Sequence, residues 1–314
     1  MPFKPPAEIT KAAIASGCTK CTTTWDKLLI LAFLAGAYIA FGALLAEIVA
    51  GGLSAGTVTT LPDGTVEKTA LPTGLLKFAT GAVFPVGLML VVIAGSELFT
   101  GNCMFAPIAW LDKKITLKGF AINWTLVFLG NLVGAVFVAY VLAYWSGLFN
   151  SAPFAQWAMS VANGKLALTW DDALLRGIGC NWLVCLAVWL AISSDEIIGK
   201  ILAIWFPIMA FVTIGFEHSV ANMFFIPLGI AVANDSGIIS ALNINLATAY
   251  PKLGAGLATD WSNFIVNNLL WVTIGNIIGA AVFVAALYWW VYIRSPLCIA
   301  TPTAPAAAPS TQAK

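Results

Sequence analysis

One histidine occurs in this 314-residue chain, and it sits inside an apolar stretch directly after a glutamate. The stretch reads Gly215-Phe216-Glu217-His218-Ser219-Val220-Ala221-Asn222. At an offset of 120 residues, Gly95-Ser96-Glu97-Leu98-Phe99-Thr100-Gly101-Asn102 carries Gly, Glu and Asn at the same places. An ionisable side chain inside an apolar segment is expensive and marks a solute or proton path by default. Imidazole titrates near neutrality, so His218 can offer or accept a proton where an anion arrives. The Thr100 hydroxyl, at the equivalent stage of the first stretch, either donates to a solute or bonds its own loop. Glu97 and Glu217 are expected to hold their loops by accepting from loose backbone N–H groups, and Asn102 and Asn222 to act as caps. Phe84, Leu88, Leu98, Phe99 and Phe211 flank the two stretches and either narrow a pore or pack a core.

Such residues need a scaffold, and composition identifies its solvent. The chain is 60% hydrophobic and 9% charged, against about 25% charged in a soluble domain, which excludes a soluble fold. A net charge of +1 provides no basic face for nucleic acid. Lipid, copies of the chain and a small solute remain as partners. Cys103, Cys180, Cys185 and Cys298 lie in or beside apolar runs and read as small hydrophobes. Cys18 and Cys21 form a CxxC with no second pair nearby, short of the four ligands of a structural zinc site. No metal and no cofactor is expected, and no enzymatic activity.

A bilayer core of about 30 Å takes roughly 20 apolar residues per helix. Single spans are expected at Leu28–Leu53, Phe120–Trp145, Ala173–Ile192 and Phe264–Ile293. Leu75–Ile108 and Ile201–Ala233 are too long for one helix, and each is interrupted by one of the two polar stretches. Each therefore reads as a helix, a non-helical break and a half-helix. A second echo, at an offset of 145, sets Asn123, Gly130, Asn131 and Gly134 against Asn268, Gly275, Asn276 and Gly279. With three spans per half the second copy enters from the opposite side, which makes an inverted repeat. Paired Gly-interrupted segments in two such halves point to a transport site. Half-helix N-termini facing one another favour an anion between them.

Placing both ends in the cytoplasm puts ten Lys and Arg residues inside and five outside, in accord with the positive-inside rule. The expected division is a cytoplasmic N-terminal tail at 1–26, a six-helix channel domain at 27–294 and a disordered, Pro- and Ala-rich cytoplasmic tail at 295–314. The Gly130/Gly134 and Gly275/Gly279 faces let helices approach closely, either between copies or within one.

GSELFTGN, CNWLVCLAVW, GFEHSVANMFFIPLGI and the two GNxxGA helices together resemble the formate/nitrite transporter family. The resemblance implies an all-α, aquaporin-like fold with helices two and five broken, assembled as a homopentamer in the cytoplasmic membrane with one pore per protomer. It implies a central pair, Thr100 and His218, with Asn181 beside the histidine. It implies constrictions at Leu88, Leu98 and Phe99 toward the cytoplasm and at Phe84 and Phe211 toward the outside. Lys165, in the loop before the fourth helix and sixteen residues before Asn181, would be the vestibule lysine. Formate is the favoured solute, carried passively or with a proton. A nitrite or hydrosulfide channel of the same fold is the alternative, and a membrane anchor for an oxidoreductase is the more remote one. The anchor is disfavoured because stacked bis-histidine haems need more than one histidine.

Overall fold

The computed structural model describes residues 3–60 and 66–294. The expected tail at 295–314, with Cys298, lies outside the described residues. Among the described residues, six apolar helices are long enough to cross a membrane: α2 (Trp25–Ser54), α3 (Thr73–Gly95), α5 (Leu117–Tyr144), α7 (Trp170–Ser193), α8 (Ile197–Ile214) and α10 (Leu257–Tyr292). Between them lie α4 (Phe99–Leu111), α6 (Phe154–Leu166) and α9 (Ser219–Ala233). The chain is a multi-pass membrane protein. The N-terminal segment is not a loose tail, because Pro6–Thr22 forms a further helix, α1. A two-stranded antiparallel hairpin, β1 (Thr57–Thr60) and β2 (Val66–Thr69), links α2 to α3.

At 13 and 15 residues and 1.5 Å per residue, α4 and α9 span only about 20 Å each, less than the bilayer core. They are half-helices, and they form the centre of the protomer. Every residue of α9 but Phe225 is buried, as is α4 from Phe99 to Ala109. The long helices wrap them with apolar residues outward, as with Leu129, Val133 and Phe137 on α5.

Helices pair twice over, by the same rule. A Cβ at Gly134 of α5 would lie 2.0 Å from the Phe33 carbonyl oxygen of α2, and one at Gly279 of α10 would lie 2.3 Å from that of Ile178 on α7. The small-residue faces are therefore consumed inside the protomer and are not free for contacts between copies. α1 docks on α4 through Gly17, where a Cβ would lie 2.1 Å from the Phe105 carbonyl oxygen. In the second half α6 docks on α9, and there the small residue is Gly229, against Ala162. Gly17 and Ala162 are 145 residues apart, and Ala109 and Gly229 are 120 apart, the two offsets of the repeat. Helix α1 thus belongs to the inverted repeat, as the counterpart of α6.

Because Gly134 seats α5 on α2, Gly134→Leu should destabilise the protomer itself by about 1–3 kcal/mol through overpacking. Thermal denaturation in detergent should show a lowered midpoint, whereas a purely inter-subunit role would give a stable monomer.

Candidate functional site

Both breaks begin at a glycine in the left-handed region, Gly95 at φ +85° and Gly215 at φ +92°. A Cβ is strained there, and the turn it permits stops α3 and α8. Extended backbone follows, and Leu98 and His218 occupy the position before the first residue of α4 and α9. At membrane depth lipid offers this irregular backbone no partner, so its polar groups need protein or the water of a cavity they line. Two asparagines supply them. Asn131 Oδ1 accepts from the Phe99 N–H at 2.8 Å, while its Nδ2 donates to the carbonyls of Glu97 at 2.9 Å and Ala32 at 2.7 Å. Asn276 repeats this with the Ser219 N–H at 2.9 Å and the carbonyls of Glu217 at 2.9 Å and Gly177 at 2.8 Å. Sequence reasoning treated these asparagines only as an echo, although a polar amide in an apolar helix at the repeat offset was the signal of a role.

The glutamates do not bond freed backbone N–H groups, and Asn102 and Asn222 are not caps. Each asparagine lies inside its half-helix and donates through Nδ2 to the neighbouring carboxylate: Asn102 to Glu97 at 2.8 Å, Asn222 to Glu217 at 2.6 Å. The same Nδ2 atoms donate to Asn123 at 2.9 Å and Asn268 at 2.8 Å. Each glutamate also accepts from a lysine, Glu97 from Lys20 at 2.7 Å and Glu217 from Lys165 at 2.9 Å. Lys20 stands 5.3 Å from the Phe105 ring centroid and Lys165 5.3 Å from that of Phe225. Lys165 is on helix α6, not in a loop as expected. Lys20 was missed, yet it lies 145 residues before Lys165, the same offset as the paired asparagines.

Between the breaks, Thr100 Oγ1 and His218 Nε2 are 2.9 Å apart. His218 Nδ1 accepts the Ala221 N–H at 3.0 Å and so caps α9. With Nδ1 an acceptor, the neutral ring carries its proton on Nε2 and donates it toward Thr100. Protonating Nδ1 would cost the cap. Asn181 does not bond the histidine: its Nδ2 donates to the carbonyls of Thr100 at 3.0 Å and Asn276 at 2.7 Å, tying α7 to α4 and α10.

Three cavities lie along this axis. One of about 450 Å³ is bordered by Lys20, Glu97, Asn102, Leu88 and Leu98. One of about 140 Å³ is bordered by Lys165, Glu217, Asn222, His218, Phe84 and Phe211. A chamber of about 10 Å³ between them touches Phe84, Leu88, Phe211 and His218, room for a single water at most. Phe84 and Phe211 meet edge to face with centroids 5.7 Å apart, and Phe211 stacks on His218 at 5.9 Å. Phe99 is placed elsewhere. It packs against Trp124 and Phe128 of α5 and borders none of these three cavities.

Two lysine-bearing vestibules meeting at a narrow, largely apolar centre between broken helices define a membrane transport protein rather than a soluble enzyme. Residues 7–290 match the formate/nitrite transporter family, and the chain belongs to that family. It is 49% identical over 306 residues to a probable formate transporter of Methanothermobacter thermautotrophicus, covering 93% of this chain and 98% of that one. It is 40% identical to a formate channel of Bacillus thuringiensis, covering 93% and 97% respectively. A solved pentameric formate channel with formate bound superposes with a TM-score of 0.71 at 33% identity, covering 86% of this chain and 98% of that one.

If each lysine–glutamate pair anchors its break, Lys20→Met should destabilise the fold. Removing one partner of a buried pair costs about 3–5 kcal/mol, and the lower end is expected because the Lys20 side chain is 20% exposed. Lys20→Met with Glu97→Gln should recover most of that loss. Equal stability of the single and double variants in detergent unfolding would show that Lys20 and Glu97 are not energetically coupled.

Proposed function

We propose that the chain carries formate across the cytoplasmic membrane, through one pore in each protomer of a homopentamer. The observation that carries this reading is the Thr100–His218 contact, set between two vestibules that each hold a lysine. Both termini lie in the cytoplasm on this reading, so residues 1–26 sit at the inner face, 27–294 form the channel domain and 295–314 follow as an inner tail. The Lys20 vestibule is then the inner one and the Lys165 vestibule the outer one. Names of relatives favour formate over nitrite, for two of them are called formate carriers.

Charge and dryness set the mechanism. A lysine has three donors, and Lys165 uses one on Glu217, leaving others for an arriving anion near the start of α9. Passing a bare carboxylate through the Phe84–Phe211 and Leu88–Leu98 narrows would cost several kcal/mol. Protonating an acid of pKa roughly 3.5 at pH 7 costs about 5 kcal/mol in water, less where the surroundings disfavour the anion. The solute therefore crosses the narrows as the neutral acid. His218 and Thr100 receive it by hydrogen bonds, Nε2–H and Oγ1 replacing their mutual contact with contacts to its oxygens. Asn181 positions Thr100 through its carbonyl.

Liposomes holding the purified protein, shown by native mass spectrometry to contain five copies, should take up labelled formate faster than nitrite without any partner. His218→Asn keeps a cap and a donor and should retain flux. His218→Phe loses both, costs about 1 kcal/mol at the α9 start and should lose most flux. Absence of formate uptake by the wild type would overturn the reading.

A further inference from the structure

Glu47 of α2 belongs neither to the anchors of the breaks nor to the central Thr100–His218 pair. Its side chain borders the Lys165 vestibule together with Lys165, Glu217 and His218. It is 1% exposed, and neither carboxyl oxygen has a hydrogen-bond partner. The other buried carboxyl groups among the described residues are all bonded. Glu97 and Glu217 hold a lysine and an asparagine, and Asp260 accepts from Asn234 and the N–H groups of Gly254 and Ala255.

Packing does not call for a carboxyl group at this place. The residue 145 positions on, the repeat counterpart of Glu47, is Ile192, and it borders the Lys20 vestibule in the same way. The scaffold therefore accepts an apolar side chain at this register. An ionised carboxylate with no partner in such surroundings costs several kcal/mol, so the group rests as the carboxylic acid. Of the residues bordering this vestibule the ionisable ones are Glu47 on α2, Lys165 on α6, and Glu217 and His218 in the break. Lys165 and Glu217 neutralise each other, and His218 Nδ1 is committed to its cap. A transferable proton is left on Glu47.

We propose that Glu47 is the proton donor of the Lys165 vestibule, protonating the carboxylate solute before it enters the Phe84–Phe211 narrows. The O–H bond on Glu47 breaks as an O–H bond forms on formate. Neutral formic acid moves on, and the Glu47 carboxylate is left in a cavity that also holds Lys165. A hydronium ion from the solution outside this vestibule then reprotonates it, so one proton crosses with each formate. The inference rests on the formate-transport reading and adds the group that supplies its proton.

The test combines flux with infrared difference spectroscopy. In liposomes, Glu47→Gln keeps size and polarity but has no proton to give. Its formate uptake at external pH 7–8 should fall by about tenfold, below the range for a sole acid catalyst because water remains a slower proton source. At pH 5, where solution supplies the proton, uptake should match the wild type. Glu47→Asp should restore the wild-type pH profile. In the infrared, wild-type protein without formate should show a carboxylic-acid carbonyl band at pH 7 that Glu47→Gln removes and that added formate shifts by accepting a hydrogen bond from the acid. A Glu47→Gln profile parallel to the wild type, or a wild-type spectrum without that band, overturns the proposal while leaving formate transport intact. A wild type that carries no formate overturns the transport reading, and the infrared band still reports whether Glu47 holds a proton.

Discussion

Backbone that leaves the helix in the middle of a bilayer must find its hydrogen-bond partners in protein or in a cavity it lines, never in lipid, and the rest of this structure is arranged around that demand. Asn131 and Asn276 meet it with one amide each, binding the first N–H of a half-helix and the glutamate carbonyl of its break. An amide can do this because it presents a carbonyl acceptor and a two-proton donor on one rigid group. The close packing of α5 on α2 and of α10 on α7, made possible by glycine, brings each asparagine to its break. The lysine, glutamate and asparagine clusters then fix the glutamate side chains, and with them the direction in which each half-helix points.

Scaffold and chemistry obey different symmetries. The anchoring residues occur twice, at offsets of 120 or 145 residues, with bond lengths that agree closely between the halves. The residues at the centre of the path do not repeat. The counterpart of His218 is Leu98, that of Thr100 is Val220, and that of Glu47 is Ile192. A duplicated frame holds the breaks open to both sides, and single substitutions in one half or the other equip it for a polar solute. The side with His218 and Glu47 differs in kind from the side with Leu98 and Ile192.

Much of this was legible in the sequence because membrane helices impose length and repeats impose offset. Six spans, two breaks and the opposition of the halves follow from apolar run length and from the spacing of Gly, Glu and Asn. Partner choice was less legible. Glu97 and Glu217 each accept from a lysine 52 or 77 residues away in the chain, and no local pattern announces such a pair. Helix α1 escaped notice because its mixed composition resembles a polar tail, and its burial depends on Gly17 meeting α4. Phe99 was grouped with the narrowing residues by its place beside the break and by the family resemblance, whereas its ring packs edge to face on Trp124 and Phe128. Glu47 lies outside both repeated motifs, yet as a carboxyl group inside the apolar run Leu28–Leu53 it carried the same signal as Glu97 and Glu217, and its lack of partners makes that signal specific.

The central claim is that the solute passes between Thr100 and His218, at the point where the two broken helices face each other. An experimental structure of the assembled protein in lipid, determined with and without formate, tests this most directly. The account predicts formate within hydrogen-bond distance of Thr100 Oγ1 and His218 Nε2, with their mutual contact lengthened from 2.9 Å and the Asn131 and Asn276 anchors unchanged. Formate bound only at another place, such as between subunits, with the Thr100–His218 bond intact in a preparation that transports formate, would contradict it.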